Sequence, residues 1–137
     1  MVSVQQGLRR SPYDCYIICD GGNDRRGCYG SYIIYKGDDT IAEESQHNYP
    51  DLSTNNEAEY MALIRALERL LQVEGPHTNI LVMSDSELMV NQTLGYFACE
   101  APNLIPLRER ALTLLNKSNN WYLIHISGRV MKRILGH

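Results

Sequence analysis

The stretch STNNEAEYMAL, residues 53–63, decides the fold, because it combines a helix start with an acid in apolar surroundings. Capping residues precede a helical period of apolar positions, which ends at Gly75-Pro76. We therefore predict a helix over residues 56–74. Glu59 is expected on the helix face that packs against the rest of the protein, since its neighbours along that face are all apolar. Those neighbours, at i+3, i+4, i+7 and i+11, are Ala62, Leu63, Ala66 and Leu70.

Strand patterns flank this helix on both sides. Three short runs rich in aliphatic and aromatic residues precede it, and two more alternate with helical segments after it. The order β-β-β-α-β-α-α-β-α indicates an α/β fold in which an antiparallel meander is extended by parallel strands, with helices packed on the mixed sheet. The predicted strands cover residues 15–20, 28–36, 40–47, 79–83 and 121–126, and the remaining helices cover residues 84–94, 104–115 and 129–135.

The composition is that of an ordinary globular chain. With 137 residues, of which 44% are hydrophobic and 21% charged, it fits one domain and excludes fibrous and disordered classes. We assign residues 1–13, which show no periodicity, to a flexible tail and residues 14–137 to the domain. No apolar run approaches the roughly 20 residues of a membrane-spanning helix. The first 14 residues lack the apolar segment of a secretory signal.

Charge and cysteine usage narrow the class of partner and the compartment. The formal net charge of −3 excludes a globally basic nucleic-acid binder, so a polyanionic partner would need a local patch or metal ions. The four cysteines are too few for a disulfide scaffold and match no zinc motif, which favours a reducing, intracellular environment. We therefore expect a cytoplasmic monomer with no membrane partner.

Three acids stand out because they occur among apolar residues. Asp20 directly follows the run YIIC, Asp85 closely follows ILVM, and Glu59 lies on the apolar helix face. Ionised side chains on buried elements require compensation, and a hard divalent cation is the usual compensation for converging carboxylates. Two such ions can activate a water and stabilise a leaving oxygen in phosphoryl chemistry.

Each acid also has an ordinary structural explanation when it is taken alone. The run Asp20-Gly21-Gly22 is typical of a hairpin turn. The run Ser84-Asp85-Ser86 is typical of a helix N-cap, and Glu59 suits the first turn of a helix. The combination of the three, in this order on these elements, favours a shared site.

In this order the acids resemble those of the ribonuclease H family, in its type 1-like form. Residues 17–22, IICDGG, resemble the opening strand of the family, and residues 53–63 resemble its Thr-Asn-Asn helix start. Residues 83–92, MSDSELMVNQ, resemble its strand-Asp-Ser-helix junction, and the similarity extends over residues 14–137. It implies a ribonuclease H-like fold: a five-stranded mixed sheet in the order 3-2-1-4-5, flanked by helices.

The resemblance also implies an activity and a site. Family members hydrolyse the RNA strand of RNA–DNA hybrids with two Mg²⁺ ions, leaving 5′-phosphate and 3′-hydroxyl ends; we expect two ions here, Mg²⁺ or Mn²⁺. Carried over, Asp20, Glu59 and Asp85 are the expected catalytic residues and metal ligands. Contacts in the minor groove of the hybrid suit recognition of the 2′-hydroxyl. The expected substrate-binding residues are Gly21, Gly22, Asn56 and Ser86.

The last predicted helix departs from the family pattern. Family members carry a fourth acid there, whereas residues 127–137 contain no Asp or Glu. His137 is a candidate catalytic replacement through its imidazole, which suits Mn²⁺ better than Mg²⁺, or through its terminal carboxylate; the alternative is a frayed last residue. His125 lies inside the last predicted strand, and we expect it to be structural.

Three functions are therefore kept as hypotheses. The first is a metal-dependent endonuclease that cleaves the RNA strand of RNA–DNA hybrids. The second is a catalytically weakened or inactive ribonuclease H-like module that binds nucleic acid, and the third is a nuclease of the wider superfamily with another structured substrate. The candidate basic surface is small, and basic residues of this kind are usually only solvated. It comprises Arg25, Arg26, Arg129, Lys132 and Arg133.

Overall fold

Residues 11–135, which the computed structural model describes, form a five-stranded mixed sheet with four helices. The strand order is β3-β2-β1-β4-β5: the first three strands are antiparallel, and β4 and β5 extend the sheet in parallel. The predicted α/β class and the predicted order 3-2-1-4-5 are confirmed. The elements are β1 (Cys15–Asp24), β2 (Gly27–Lys36), β3 (Asp39–Tyr49), α1 (Asn55–Glu74), β4 (Asn79–Ser84), α2 (Glu87–Leu94), α3 (Ile105–Leu115), β5 (Asn120–His125) and α4 (Gly128–Leu135).

Helix α1 begins where its capping residues predict. The Thr54 side chain accepts a hydrogen bond from the Glu57 N–H at 3.1 Å, and the Glu57 carboxylate accepts one from the Thr54 N–H at 2.9 Å. The helix stops at Gly75, which takes a φ of 75° that other residues rarely adopt. Its buried face packs against β1 and β2 and forms the centre of the core, including Leu63 and Leu67. None of the helices within residues 11–135 has the length and hydropathy that crossing a bilayer requires.

Strand β1 is longer than predicted, and the difference matters for the site. The prediction ended the strand at residue 20, but Gly21 and Gly22 continue the antiparallel ladder opposite Gly30 and Tyr29 of β2. The hairpin turn lies four residues later, between Asp24 and Gly27. The alternative of a turn at residues 20–22 is therefore wrong, because the two glycines keep an extended backbone and pair with β2.

Gly21 brings β1 and α1 unusually close together. A Cβ atom on this residue would lie 2.3 Å from the carbonyl carbon and oxygen of Ala58, so any side chain would push the helix away. Since Ala58 directly precedes Glu59 and Gly21 directly follows Asp20, this contact sets how near Glu59 comes to Asp20.

Residues 11–14 contact the sheet. The Asp14 N–H donates to the Asn79 carbonyl at 2.6 Å, and the Asp14 carboxylate accepts from the Asn79 N–H at 2.7 Å. The Tyr13 ring packs edge-on against Tyr16 and Tyr122, with ring centroids 5.7 Å apart in each pair. The rest of the predicted tail, residues 1–10, lies outside the described residues.

Candidate metal centre

The three predicted acids meet at one edge of the sheet. Strands β1 and β4 are parallel neighbours with Cys19 opposite Ser84, so the next residues along them, Asp20 and Asp85, lie side by side. Strand β4 ends at Ser84, whereas Asp20 still pairs with Ser31 of β2. Glu59, in the second turn of α1, reaches the same place. One carboxylate oxygen from each acid lies within 4.8 Å of the others. The structure thus brings together the residues expected to bind metal.

Glu59 is held rigidly in this cluster. Its side chain is almost fully buried, and its Oε1 accepts a hydrogen bond of 2.7 Å from the Gly21 N–H. Burial raises the pKa of Glu59 to about 8, and the charges of Asp20 and Asp85 add to the effect. A buried carboxylate that resists ionisation in this way gains from a positively charged ligand.

Asp20 and Asp85 contact each other directly. Burial raises the pKa of Asp20 above its usual range, and the charge of Asp85 and a side-chain hydrogen bond between the two raise it further. The Oδ1 atom of Asp85 is buried without a hydrogen-bond partner among the described residues. Oxygen donors that repel each other, one of them unsatisfied, fit a hard divalent cation such as Mg²⁺ or Mn²⁺.

The turn that carries Asp85 is fixed by hydrogen bonds on both sides. The Ser84 hydroxyl accepts from the Ser86 N–H at 3.1 Å, and the Ser86 hydroxyl caps α2 by accepting from the Met89 N–H at 3.2 Å. Ser86 is buried by this capping. Its expected contact with substrate stays a prediction beside this structural role.

His125 supports the same turn from β5. Its Nε2 atom lies 3.2 Å from the main-chain carbonyl oxygen of Asp85, and the Ile126 N–H donates to the Ser84 carbonyl at 2.8 Å. His125 was predicted to be structural, and the structure shows what its ring contacts: the backbone of Asp85, a residue of the cluster. Strand periodicity alone could not show that contact.

The other predicted substrate residues surround the cluster. Gly22 follows Gly21 on β1, and a Cβ atom on it would lie 2.6 Å from the Tyr29 ring. Packing against the Ala58 backbone therefore requires a glycine at position 21, whereas the atoms next to Gly22 belong to the end of the Tyr29 side chain, which can move. Asn56 is half-buried in the first turn of α1. The sequence analysis missed Asn23, whose side-chain amide donates to the Ser53 carbonyl at 3.1 Å and ties β1 to the start of α1. The strand was predicted to end before Asn23, so no signal pointed to it.

Helix α4 begins beside the cluster. A Cβ atom built on Gly128, its first residue, would lie 3.5 Å from Oδ2 of Asp85. No acid occurs in the helix, so its described residues add no carboxylate to the cluster. His137, the predicted replacement for a fourth acid, lies outside the described residues.

With this geometry established, comparisons with known proteins place the chain. The family model for RNase H matches residues 13–128. The chain belongs to the RNase H family. A curated relative, ribonuclease HI of Halobacterium salinarum, is 34% identical over 94 residues, which cover 69% of this chain and 42% of the relative. The chain spans less than half the length of the curated relatives it matches.

Solved structures share the fold of this RNase H family member. The N-terminal RNase H domain of a Mycobacterium tuberculosis protein, solved as a fusion with maltose-binding protein, superimposes with a TM-score of 0.77 at 24% identity and covers 86% of this chain and 90% of that one. LC11-RNase H1, isolated from compost by a metagenomic approach, was solved in complex with an RNA/DNA hybrid. It superimposes with a TM-score of 0.76 at 29% identity and covers 87% of this chain and 89% of that one.

Proposed function

We propose that this protein is a metal-dependent endonuclease that hydrolyses the RNA strand of RNA–DNA hybrids. The observation that carries the proposal is the meeting of Asp20, Glu59 and Asp85, from three separate elements, within 4.8 Å in a chain of the RNase H family. The complex of LC11-RNase H1 with an RNA/DNA hybrid supports the substrate class. The products we propose carry 5′-phosphate and 3′-hydroxyl ends.

The three carboxylates are the proposed ligands of two divalent ions, Mg²⁺ or Mn²⁺. Bound ions of this kind activate a water and stabilise the leaving oxygen of a phosphodiester. The chain's own contribution is to hold the oxygens in place. The Gly21 N–H orients Glu59, and the hydrogen-bonded turn at residues 84–86 orients Asp85. These hydrogen bonds preorganise Glu59 and the Asp85 turn before the ions bind.

The proposed contacts with the hybrid lie around this cluster. Asn56 is placed at the start of α1, where a side-chain amide can bind the minor groove, and the backbone at Gly22 lies close to the cluster on β1. Ser86 and Gly21 complete the proposed set. His137 stays a proposal in the same sense, to be tested by comparing the full chain with one that lacks it. A monomeric state and a cytoplasmic location are likewise predictions.

A second function, a nucleic-acid-binding module without turnover, is favoured by one observation. The described part of α4 contains no acid and holds three basic residues instead. Fewer carboxylates mean weaker binding of at least one ion, and hence slower hydrolysis or none.

A cleavage assay separates the two functions. Labelled RNA–DNA hybrid is incubated with the protein in Mg²⁺, in Mn²⁺, and in EDTA. The nuclease proposal expects RNA-strand products with either metal, none in EDTA, and none from Asp85→Asn. The matched control is Asp38→Asn, which removes an exposed acid from the turn between β2 and β3 at the opposite end of the sheet. Hybrid binding without cleavage in both metals would establish the module instead.

A further inference from the structure

The positive charge of the protein is unevenly distributed. In the described salt bridges, the basic partners of acids are Arg26, Lys36, His47, Arg65 and Arg110. The three basic residues of α4 form no side-chain salt bridge or hydrogen bond within residues 11–135. Arg25 and Lys117 share this property but lie alone on separate segments of the described chain, whereas α4 carries three such cations on one element. A chain of net charge −3 therefore presents three uncompensated cations on one short helix. These cations are Arg129, Lys132 and Arg133.

The three cations share one side of α4. Their spacing of i, i+3 and i+4 places them within about one third of the helix circumference. Met131 lies on the other side and is only 1% exposed, so the helix is anchored through that side. All three cations are exposed to solvent. We refer to Arg129, Lys132 and Arg133 as the α4 cation face.

The α4 cation face begins at the candidate metal centre. Gly128, whose Cβ position would lie 3.5 Å from Oδ2 of Asp85, immediately precedes Arg129. With a rise of 1.5 Å per residue, the Cα atoms of Arg129 and Arg133 lie about 1.5 and 7.5 Å along the helix axis from Gly128. The Cα atoms of the three cations thus span about 6 Å along the helix axis, beginning at the residue after Gly128, and their flexible side chains add to this reach.

We propose that the α4 cation face binds backbone phosphates of the nucleic acid next to the bond that is cleaved. This inference rests on the proposed function, which supplies nucleic acid as the partner. It adds the surface that binds the partner, the α4 cation face, and the groups that are bound, the backbone phosphates. Acidic proteins repel polyanions at long range. The electrostatic attraction for a polyanion is therefore strongest at a local row of unpaired cations. Lys and Arg that meet phosphates release counterions, which gives affinity without sequence preference.

Salt dependence of binding tests the proposal directly. The affinity of the full chain for a labelled hybrid is measured in EDTA, without divalent ions, across a series of KCl concentrations. Each lost phosphate contact reduces the slope of log K against log[KCl] by roughly 0.7–0.9. The triple variant Arg129→Gln, Lys132→Gln, Arg133→Gln should therefore lose roughly 2–3 units of slope. The control triple, Arg69→Gln, Arg110→Gln, Lys117→Gln, removes the same charge far from the carboxylates and should keep the slope.

Two results would overturn the proposal. One is an unchanged slope in the α4 variant, and the other is an equal loss in both triples, which would mean that only net charge matters. Glutamine is a good helix former, so α4 should persist; if circular dichroism shows that the triple unfolds, Lys132→Gln alone must still lose roughly 0.7–0.9 units. Cleavage is scored separately. If the wild type cleaves the hybrid but the α4 triple variant keeps the salt slope, this inference is refuted and the proposed nuclease activity is not. If the triple variant loses slope but the wild type does not cleave, the nuclease activity is refuted and this inference is not.

Discussion

The carboxylate cluster and the α4 cation face are adjacent, opposite in charge, and built in opposite ways. The cluster draws one acid from each of three elements, and Glu59 is buried with its oxygen held by the Gly21 N–H. The α4 cation face draws all its charges from one eight-residue helix and leaves them in solvent. Burial and the Gly21 hydrogen bond fix the position of Glu59 at a cost in solvation free energy. The exposed cations of α4 stay solvated and keep the conformational freedom of their side chains.

This difference predicts different tasks for the two regions. Groups that act on reacting atoms must be preorganised, because small displacements reduce rates strongly. Groups that only retain a polyanion act through long-range charge and need no fixed geometry. Substitutions in the cluster should therefore change turnover, and substitutions in the α4 cation face should change binding.

The largest expected effect is on the rate of cleavage. Asp85→Asn should reduce kcat roughly 100-fold or more, since metal ions supply several kcal/mol of transition-state stabilisation. The α4 triple variant should raise KM about tenfold at moderate salt and leave kcat within about threefold. Steady-state kinetics on a labelled hybrid measure both. A large fall of kcat in the α4 triple, with KM unchanged, would break the division between the two regions.

The next largest effect is on stability, and it compares a glycine in each region. Gly21→Ala should destabilise the fold by about 3 kcal/mol or more, because its Cβ would meet the Ala58 backbone at 2.3 Å and the helix cannot withdraw without losing core contacts. Gly128→Ala is the matched control, since its Cβ meets its nearest neighbour at an ordinary 3.5 Å. Urea denaturation measures both free energies of unfolding. Equal stability of the two variants would show that β1 and α1 are not held as closely as described.

The third prediction concerns how stability depends on pH, which the buried Glu59 should influence and the exposed cations of α4 should not. Glu59 has a native pKa of about 8, raised by burial from an ordinary value of 4.5. Between these values the native state binds more protons than the unfolded state, so the stability of the metal-free protein falls as pH rises from about 4.5 to about 8. Glu59→Gln keeps the acceptor for the Gly21 N–H and removes this loss, and should be the more stable protein at pH 8.5 by roughly 1–3 kcal/mol.

The control for this pH experiment is Lys132→Gln, which removes an exposed charge and leaves Glu59 in place, so the fall in stability with rising pH should persist. Adding Mg²⁺ should restore stability to the wild type at pH 8.5 and do little for Glu59→Gln. Thermal unfolding of the wild type and of Glu59→Gln, each in EDTA and in Mg²⁺, measures these four stabilities. A wild type that gains stability as the pH rises through this range would contradict the assignment of Glu59 to a buried, metal-compensated position.

Local pattern was sufficient to predict the elements of the fold and the acids of the cluster. Apolar periodicity placed α1 and showed Glu59 on its buried face, and acids after two apolar strands suggested a shared edge of the sheet. What local pattern could not supply was the close approach of two backbones. Gly21 was predicted to let the backbone approach nucleic acid, and that role stays a prediction. Its contact with Ala58, a residue 37 positions away in the sequence, was not predicted. The same limit hid the neighbourhood of Gly128 and Asp85, which depends on how β5 and α4 follow β4.

The smallest expected effect is on the Mg²⁺ requirement of cleavage, and it tests whether His125, which is not one of the three acids, helps to hold the cluster in place. His125 lies with its Nε2 atom 3.2 Å from the Asp85 carbonyl, and it is exposed, so its replacement leaves the core intact. His125→Phe removes the donor and should raise the Mg²⁺ concentration for half-maximal cleavage by roughly two- to fivefold. This is less than the roughly 10–100-fold typical of residues that bind a metal ligand directly, because the His125 ring contacts the Asp85 main chain and not its carboxylate. His125→Gln can still donate to the carbonyl and should recover most of that loss, which a purely steric role of the ring would not allow.

The affinity for the hybrid in EDTA should be the same for both variants, because the α4 cation face is unchanged. If Phe and Gln shift the Mg²⁺ requirement equally, the ring does not position Asp85, and the rigid region ends at the carboxylates themselves.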